Sequence, residues 1–274
     1  MRLEEFYKIV DAVAPKRLSD EYCEKYGAYD NSGLLVDTGS PVEKALFSLD
    51  LSFAAIDKAV ETGANVIVTH HPAIYGKIAD IRCSDFQPLG EKLIRCIKNG
   101  ISLICMHLNL DVAQGGIDEC LMQGVQTAAH GERTGAGMRA NDTLFEPLSC
   151  GGYGRTYPIT PVSLQTLAEN MRKEFRSERI LVYGNGERLV KKAASFCGAG
   201  ASEAAVEFAV NNGADLLISS DFKHHVLSLA IERGLGVIAL THYASENYGF
   251  EKYYQKIRSQ TGVECVYHTD ANLL

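Results

Sequence analysis

The sequence predicts an α/β protein of two similar lobes with mixed, largely parallel sheets. Three observations carry that prediction. Short apolar runs alternate with segments of helical period through most of the chain, the pattern of βαβ units. The stretch AVETGANVIVTHH (59–71) recurs 150 positions later as AVNNGADLLISSD (209–221). KNGISLICMHLNLD (98–111) is echoed by ERGLGVIALTHYASE (232–246); each runs helix end, glycine, apolar strand, His, three residues, carboxylate. A duplicated α/β unit places strand ends from both copies toward one cleft.

The elements follow in order. Residues 3–14 read as an amphipathic helix with Leu3, Phe6, Ile9, Val10 and Val13 on one face, stopped by Pro15. DNSGLLVDTG (30–39) is a turn running into a short strand, and ALFSLDLS (45–52) is a strand ending in polar residues. FAAIDKAVETG (53–63) is a helix with Gly63 at its C′ position. ANVIVTHHP follows as a β-branched strand, PLGEKLIRCIKNG (88–100) as a helix and ISLICMH (101–107) as a strand. The stretch 130–154 is rich in glycine and polar residues and reads as the connection between halves, with a short strand near 143–148. A helix at 163–175 has Ser163 as N-cap, and strands at 179–184 and 189–196 flank the turn Gly184-Asn185-Gly186. Helices at 202–212, 224–233 and about 244–258 then alternate with strands at 214–219, 235–240 and 263–268. The expected lobes are 1–130, with 235–274 packing against it, and 131–234.

Composition limits the function classes. The chain has 274 residues, 46% apolar and 22% charged, which excludes disorder and coiled coil. No apolar run reaches the ~18 residues of a membrane span. The formal charge of −7, from 27 basic and 34 acidic residues, argues against charge-driven nucleic-acid binding. The start MRLEEFYKIVDAV carries acids where a signal peptide carries basic residues. None of the eight cysteines forms a CxxC pair, so they read as small buried hydrophobes of a reducing, cytoplasmic protein.

The chemistry collects in histidines. His70, His107 and His242 stand at or just past predicted strand ends, where open α/β sheets bind ligands, and His71 adjoins the first. Adjacent residues on a strand point to opposite faces, so His70 and His71 serve one site only if the strand bends or ends there. The bland alternative is one buried and one solvent histidine. His107-x-x-x-Asp111 and His242-x-x-x-Glu246 place imidazole and carboxylate one helical turn apart, or form ordinary surface pairs. Together these strand ends supply imidazole and carboxylate with almost no thiol, a set suited to Zn, Fe, Mn, Co or Ni. Five or six ligands exceed one tetrahedral zinc and match two metal ions. Gly198-Ala199-Gly200-Ala201-Ser202 is a small-residue turn that serves either anion binding or tight packing. Asp221-Phe222-Lys223-His224-His225 follows a strand and offers a proton donor or a phosphate contact.

The motifs DNSGLL (30–35), LDLSFAAIDKAVETGANVIVTHHP (49–72), HLNLDVAQGGID (107–118), DFKHH (221–225) and THYASE (241–246) resemble the family of GTP cyclohydrolase 1 type 2 homologs, also called Ngg-interacting-factor-like proteins. The resemblance covers nearly the whole chain. It implies intertwined lobes, a dinuclear metal site in the cleft between them, and a toroidal homohexamer. Carried over by position, it implies metal ligands His70, His71, Asp111, His242 and Glu246. His107 then stands near the site, and Lys223 and His225 line the pocket. The chain departs from the family's usual residues at Leu108, Ser219-Ser220 and His224, none of them an implied ligand.

The expected function is a cytoplasmic hydrolase with two divalent ions per subunit. Water would attack a purine-nucleotide ring, with His107 or His225 moving protons and Asp221 and Lys223 contacting substrate. The alternatives are a metal-dependent nucleotide phosphoesterase and a non-enzymatic ring protein that binds metal or a partner.

Overall fold

The fold follows from two sheets that repeat one strand order. It is described from a computed structural model covering residues 1–83, 88–130 and 142–274. These residues divide into two compact units, Met1–Ala113 with Phe250–Asp270 and Gln114–Gly249 with Ala271–Leu274. Among the described residues, no helix is long and apolar enough to cross a membrane.

The first unit holds helices α1 (Leu3–Val13) and α2 (Lys16–Tyr26) and strands β1 (Gly33–Val36) and β2 (Lys44–Ser48). Helix α3 (Phe53–Thr62), β3 (Val66–Thr69), α4 (Pro88–Lys98), β4 (Ser102–Cys105) and α5 (Leu108–Val112) follow. The strand β11 (Glu264–His268) completes a five-stranded sheet of order β1-β4-β3-β2-β11. Strands β11, β2, β3 and β4 run parallel and β1 pairs antiparallel with β4. All four residues of β3 are buried, as in a strand covered on both faces. Leu46, Ile56, Ile67, Leu93 and Leu103 form this unit's core.

The second unit holds α6 (Ile117–His130), β5 (Thr143–Pro147), β6 (Gly152–Ser163), α7 (Leu164–Glu174), β7 (Leu181–Tyr183) and β8 (Leu189–Ser195). Helix α8 (Glu203–Asn211), β9 (Leu216–Ser219), α9 (His224–Glu232), β10 (Gly236–Ala239) and the start of α10 (His242–Gln260) follow. Its sheet runs β5-β6-β8-β9-β10-β7. Strands β8, β9 and β10 are parallel, and β7 pairs antiparallel with β10. Its core gathers Phe196, Val206, Leu217, Val226 and Val237.

The order β7-β10-β9-β8 thus repeats β1-β4-β3-β2, with the same sense at each pairing. Strands β3 and β9 begin 150 positions apart, the offset of the sequence repeat.

Part of the segment expected to connect the halves is regular structure. Strand β5 and the long β6 form an antiparallel pair, and β6 joins the main sheet through β8. Residues 131–141 of that segment lie outside the described residues. Strand β6 contains Pro158 and Pro161, and its register shifts between Pro158 and Val162, where proline is tolerated at an irregularity. Helices α2, α5 and α6 are further additions to the expected elements. All eight cysteines are free.

Candidate metal centre

In the first unit the end of β3 sets the site. The His70 and His71 amides both donate to the Leu49 carbonyl, at 3.1 and 3.0 Å. The Thr69 hydroxyl donates to the His71 carbonyl at 2.8 Å. The strand therefore stops at Thr69 and the chain turns. The turn meets the condition for two adjacent rings to share one side: their centroids stand 4.9 Å apart.

Each ring is held through Nδ1. His70 Nδ1 lies 2.8 Å from the Met106 carbonyl oxygen, an acceptor only, so this nitrogen carries the proton. His71 Nδ1 lies 2.8 Å from Asp50 Oδ1, and His107 Nδ1 lies 2.7 Å from Asp30 Oδ1. Donation to these oxygens leaves Nε2 as the nitrogen with the lone pair, the tautomer in which a histidine binds metal. His70, His71 and His107 each offer a ligand-capable atom within 4.8 Å of the other two. Asp111, in the single turn of α5 that follows His107, brings Oδ1 to 3.5 Å from His70 Nε2. His70 is fully buried and Asp111 nearly so.

Asp30 is built into this arrangement. Burial pushes its carboxyl up, but hydrogen bonds from His107, Ser19 and Ser32 outweigh that and hold it well below the usual carboxylate range. Ser19 and Ser32 both donate to Asp30 Oδ2 at 2.5 Å, and Ser32 Oγ accepts the His107 amide at 3.0 Å.

In the second unit His242 opens α10 and Glu246 stands one turn on, with His242 Nε2 3.1 Å from Glu246 Oε1. His242 Nδ1 lies 2.5 Å from Asp221 Oδ2, which repeats the anchoring seen in the first unit. Asp221 adopts φ +50°, a region uncommon for residues other than glycine. Lys223 is the exposed N-cap residue of α9. His225 is exposed too, and its Nε2 lies 3.8 Å from Glu203 Oε1.

The donor chemistry fits a borderline divalent cation: imidazoles with oriented rings, and carboxylates rather than thiolates. The geometry thus gives His107 a ring held like the other three, and gives Asp221 the place of a His242 anchor. Asp30 and Asp50 were not singled out from the sequence. Asp50 stands two residues past the end of β2, a position that could have marked it. Asp30 lies 77 residues from His107, and only the pairing of β1 with β4 brings them together.

A model of the family described as Duf34/NIF3 (NGG1p interacting factor 3) matches residues 1–272. A GTP cyclohydrolase 1 type 2 homolog of Clostridium perfringens is 31% identical over 248 residues, covering 90% of this chain and 87% of the relative. The NGG1-interacting factor 3 of Saccharomyces cerevisiae is 27% identical, covering 82% of each chain. Among solved structures, reduced HcgD from Methanocaldococcus jannaschii superposes with a TM-score of 0.76 at 25% identity, covering 97% of both chains. A Bacillus cereus protein related to NIF3 superposes at 0.75 with 19% identity, covering 98% of this chain and 97% of that one, and shows likeness of fold.

Proposed function

This chain belongs to the Duf34/NIF3 (NGG1p interacting factor 3) family, and from that premise we propose that it is a hydrolase working with two divalent metal ions. The observation that carries the reading is the set of imidazoles each anchored through Nδ1 by an oxygen, with the carboxylates of Asp111 and Glu246 beside the Nε2 atoms of His70 and His242. His70, His71, Asp111, His242 and Glu246 are the proposed ligands, the set that the family resemblance implies. Divalent ions held by these groups would supply Lewis-acid activation of water and of an electrophilic substrate centre.

The remaining roles fall to the chain's own groups. Asp50 and Asp221 fix the rings of His71 and His242. His107, oriented by Asp30, would accept and return a proton through Nε2. His225 and Lys223, exposed at the start of α9, are assigned to substrate contact. The name shared by the C. perfringens and M. jannaschii relatives, GTP cyclohydrolase 1 type 2 homolog, directs the substrate search to purine-nucleotide ring opening.

The test is to strip the protein with chelator, reload it with one metal at a time, count bound ions by mass spectrometry, and assay formate release from GTP. Two ions per chain and turnover are expected. Intact folding and metal content without turnover would reject GTP, and a panel of nucleotides and phosphodiesters would then separate ring opening from phosphoester cleavage. One observation favours a second reading: the yeast relative is named for an interaction. For a partner-binding ring protein, Glu246→Gln should lose metal and partner together. A light-scattering mass of six times 29.9 kDa is expected if the chain forms a homohexamer.

A further inference from the structure

We infer that Gly198 is a positioning residue for His242 and Glu246: the turn it sits in, after β8, sets where that imidazole and carboxylate stand. The inference rests on the metal reading above and adds to it a residue that touches no ion.

The turn is tied from several sides. The Cys197 amide donates to Asp118 Oδ1 at 3.4 Å, and the Tyr153 hydroxyl donates to the Cys197 carbonyl at 2.5 Å. Asp118 is itself fixed by a buried ion pair, 2.8 Å from Arg155 Nε. The Gly198 carbonyl accepts from the hydroxyls of Ser219 at 3.2 Å and Ser220 at 2.5 Å. The Gly198 amide donates to Ser245 Oγ at 3.1 Å, and that hydroxyl donates on to the His242 carbonyl at 2.8 Å. One path of hydrogen bonds thus runs from the turn to the first residue of α10.

The absent side chain completes the arrangement. Gly198 has φ +56°, and a Cβ there would run into Glu246 Oε1 and stand 3.3 Å from both Glu246 Cδ and His242 Nε2. The carboxylate lies over a bare Cα. The collision would be with the end of a flexible side chain, so it would shift the carboxylate and spare the fold. The neighbouring Gly200 has a different reason: its Cβ would meet the Tyr153 hydroxyl and Phe196. Between them these two contacts explain the small-residue turn by packing, with Ser202 serving as N-cap of α8 through its bond to the Ala205 amide.

The experiment separates collision from backbone strain with a second glycine. Gly213 has φ +66° and open space around its Cβ position, so Gly213→Ala carries the strain alone. Full-length, chelator-stripped wild type, Gly198→Ala, Gly213→Ala and Glu246→Gln are titrated with zinc, and their melting temperatures are measured without metal. Zinc affinity should fall roughly 10–100-fold in Gly198→Ala, as when a ligand loses its support, and stay at the wild-type value in Gly213→Ala. Gly198→Ala should also melt below Gly213→Ala, and that excess should vanish in a Glu246→Ala background, where the colliding carboxylate is gone. Wild-type zinc affinity in Gly198→Ala, or an excess that persists with Glu246→Ala, overturns the inference and leaves the metal reading standing. Wild-type zinc binding in Glu246→Gln overturns the ligand assignment, and this inference with it. Should Gly198→Ala fail to fold, the double variant with Glu246→Ala must fold; its failure overturns the inference as well.

Discussion

Asp221 sits in a backbone conformation that costs a non-glycine residue free energy, φ +50°, while its carboxylate lies 2.5 Å from His242 Nδ1. Asparagine tolerates the same backbone region, so Asp221→Asn keeps the turn and removes the charge that orients the ring. Zinc affinity should fall by about 10–100-fold with little change in melting temperature; unchanged affinity in calorimetric titration would remove Asp221 from this role. Asp30 gives a pH-dependent prediction. Its folded-state pKa lies below the ordinary value, so its contribution is present above about pH 4 and is lost as pH falls further toward the folded value. In urea melts of metal-free protein, Asp30→Asn should cost about 1–3 kcal/mol at pH 7, and the gap to wild type should narrow by pH 3. Spacing at strand ends marked His70, His71, His107, Asp111, His242 and Glu246 as candidates, and the family resemblance narrowed them to five expected ligands. The oxygens that orient the rings were not marked as such, because each comes from a residue distant in sequence whose nearness depends on the fold.

At the scale of elements, helix visibility tracked how much of a face was polar. Helix α1 buries Leu3, Phe6 and Val10 along one stripe and was readable. Helix α6 buries ten of its fourteen residues, Asp118 and Glu119 among them, so no stripe stands out against a polar side. Helix α2 errs the other way, burying only Leu18 and Ser19. Strand β6 was masked by its two prolines and by glycines at its start. Strand sense was also hidden: β1 and β7 carry ordinary apolar runs, and nothing in such a run marks antiparallel pairing. The seat of α10 on α6 yields a prediction that runs against helix propensity. Alanine is the better helix former by about 1 kcal/mol, yet a Cβ at Gly249 would lie 2.8 Å from the Ile117 Cα. Backbone cannot swing aside as a side chain can, so Gly249→Ala should destabilise by about 1–3 kcal/mol. A raised melting temperature would contradict the close approach.

Across the whole molecule, the repeated strand order predicts matched energetics. Ile67 and Leu217 occupy equivalent places in β3 and β9, each fully buried in its own unit's core. Truncation to alanine should cost about 2–5 kcal/mol at either position, measured by chemical denaturation, and a near-neutral result at one would show that its core is not packed like the other. The repeat also lines up the two strand ends residue by residue, and there the copies differ. Where one has Thr69-His70-His71, the other has Ser219-Ser220-Asp221. If both descend from one ancestral half, the copies have specialised: the first carries candidate cation-binding rings at this place, while the second carries a brace for a ring supplied further along its chain. Placing histidine at 221 would add a donor and in the same stroke unseat His242, so the second copy cannot take the first's residue there without loss.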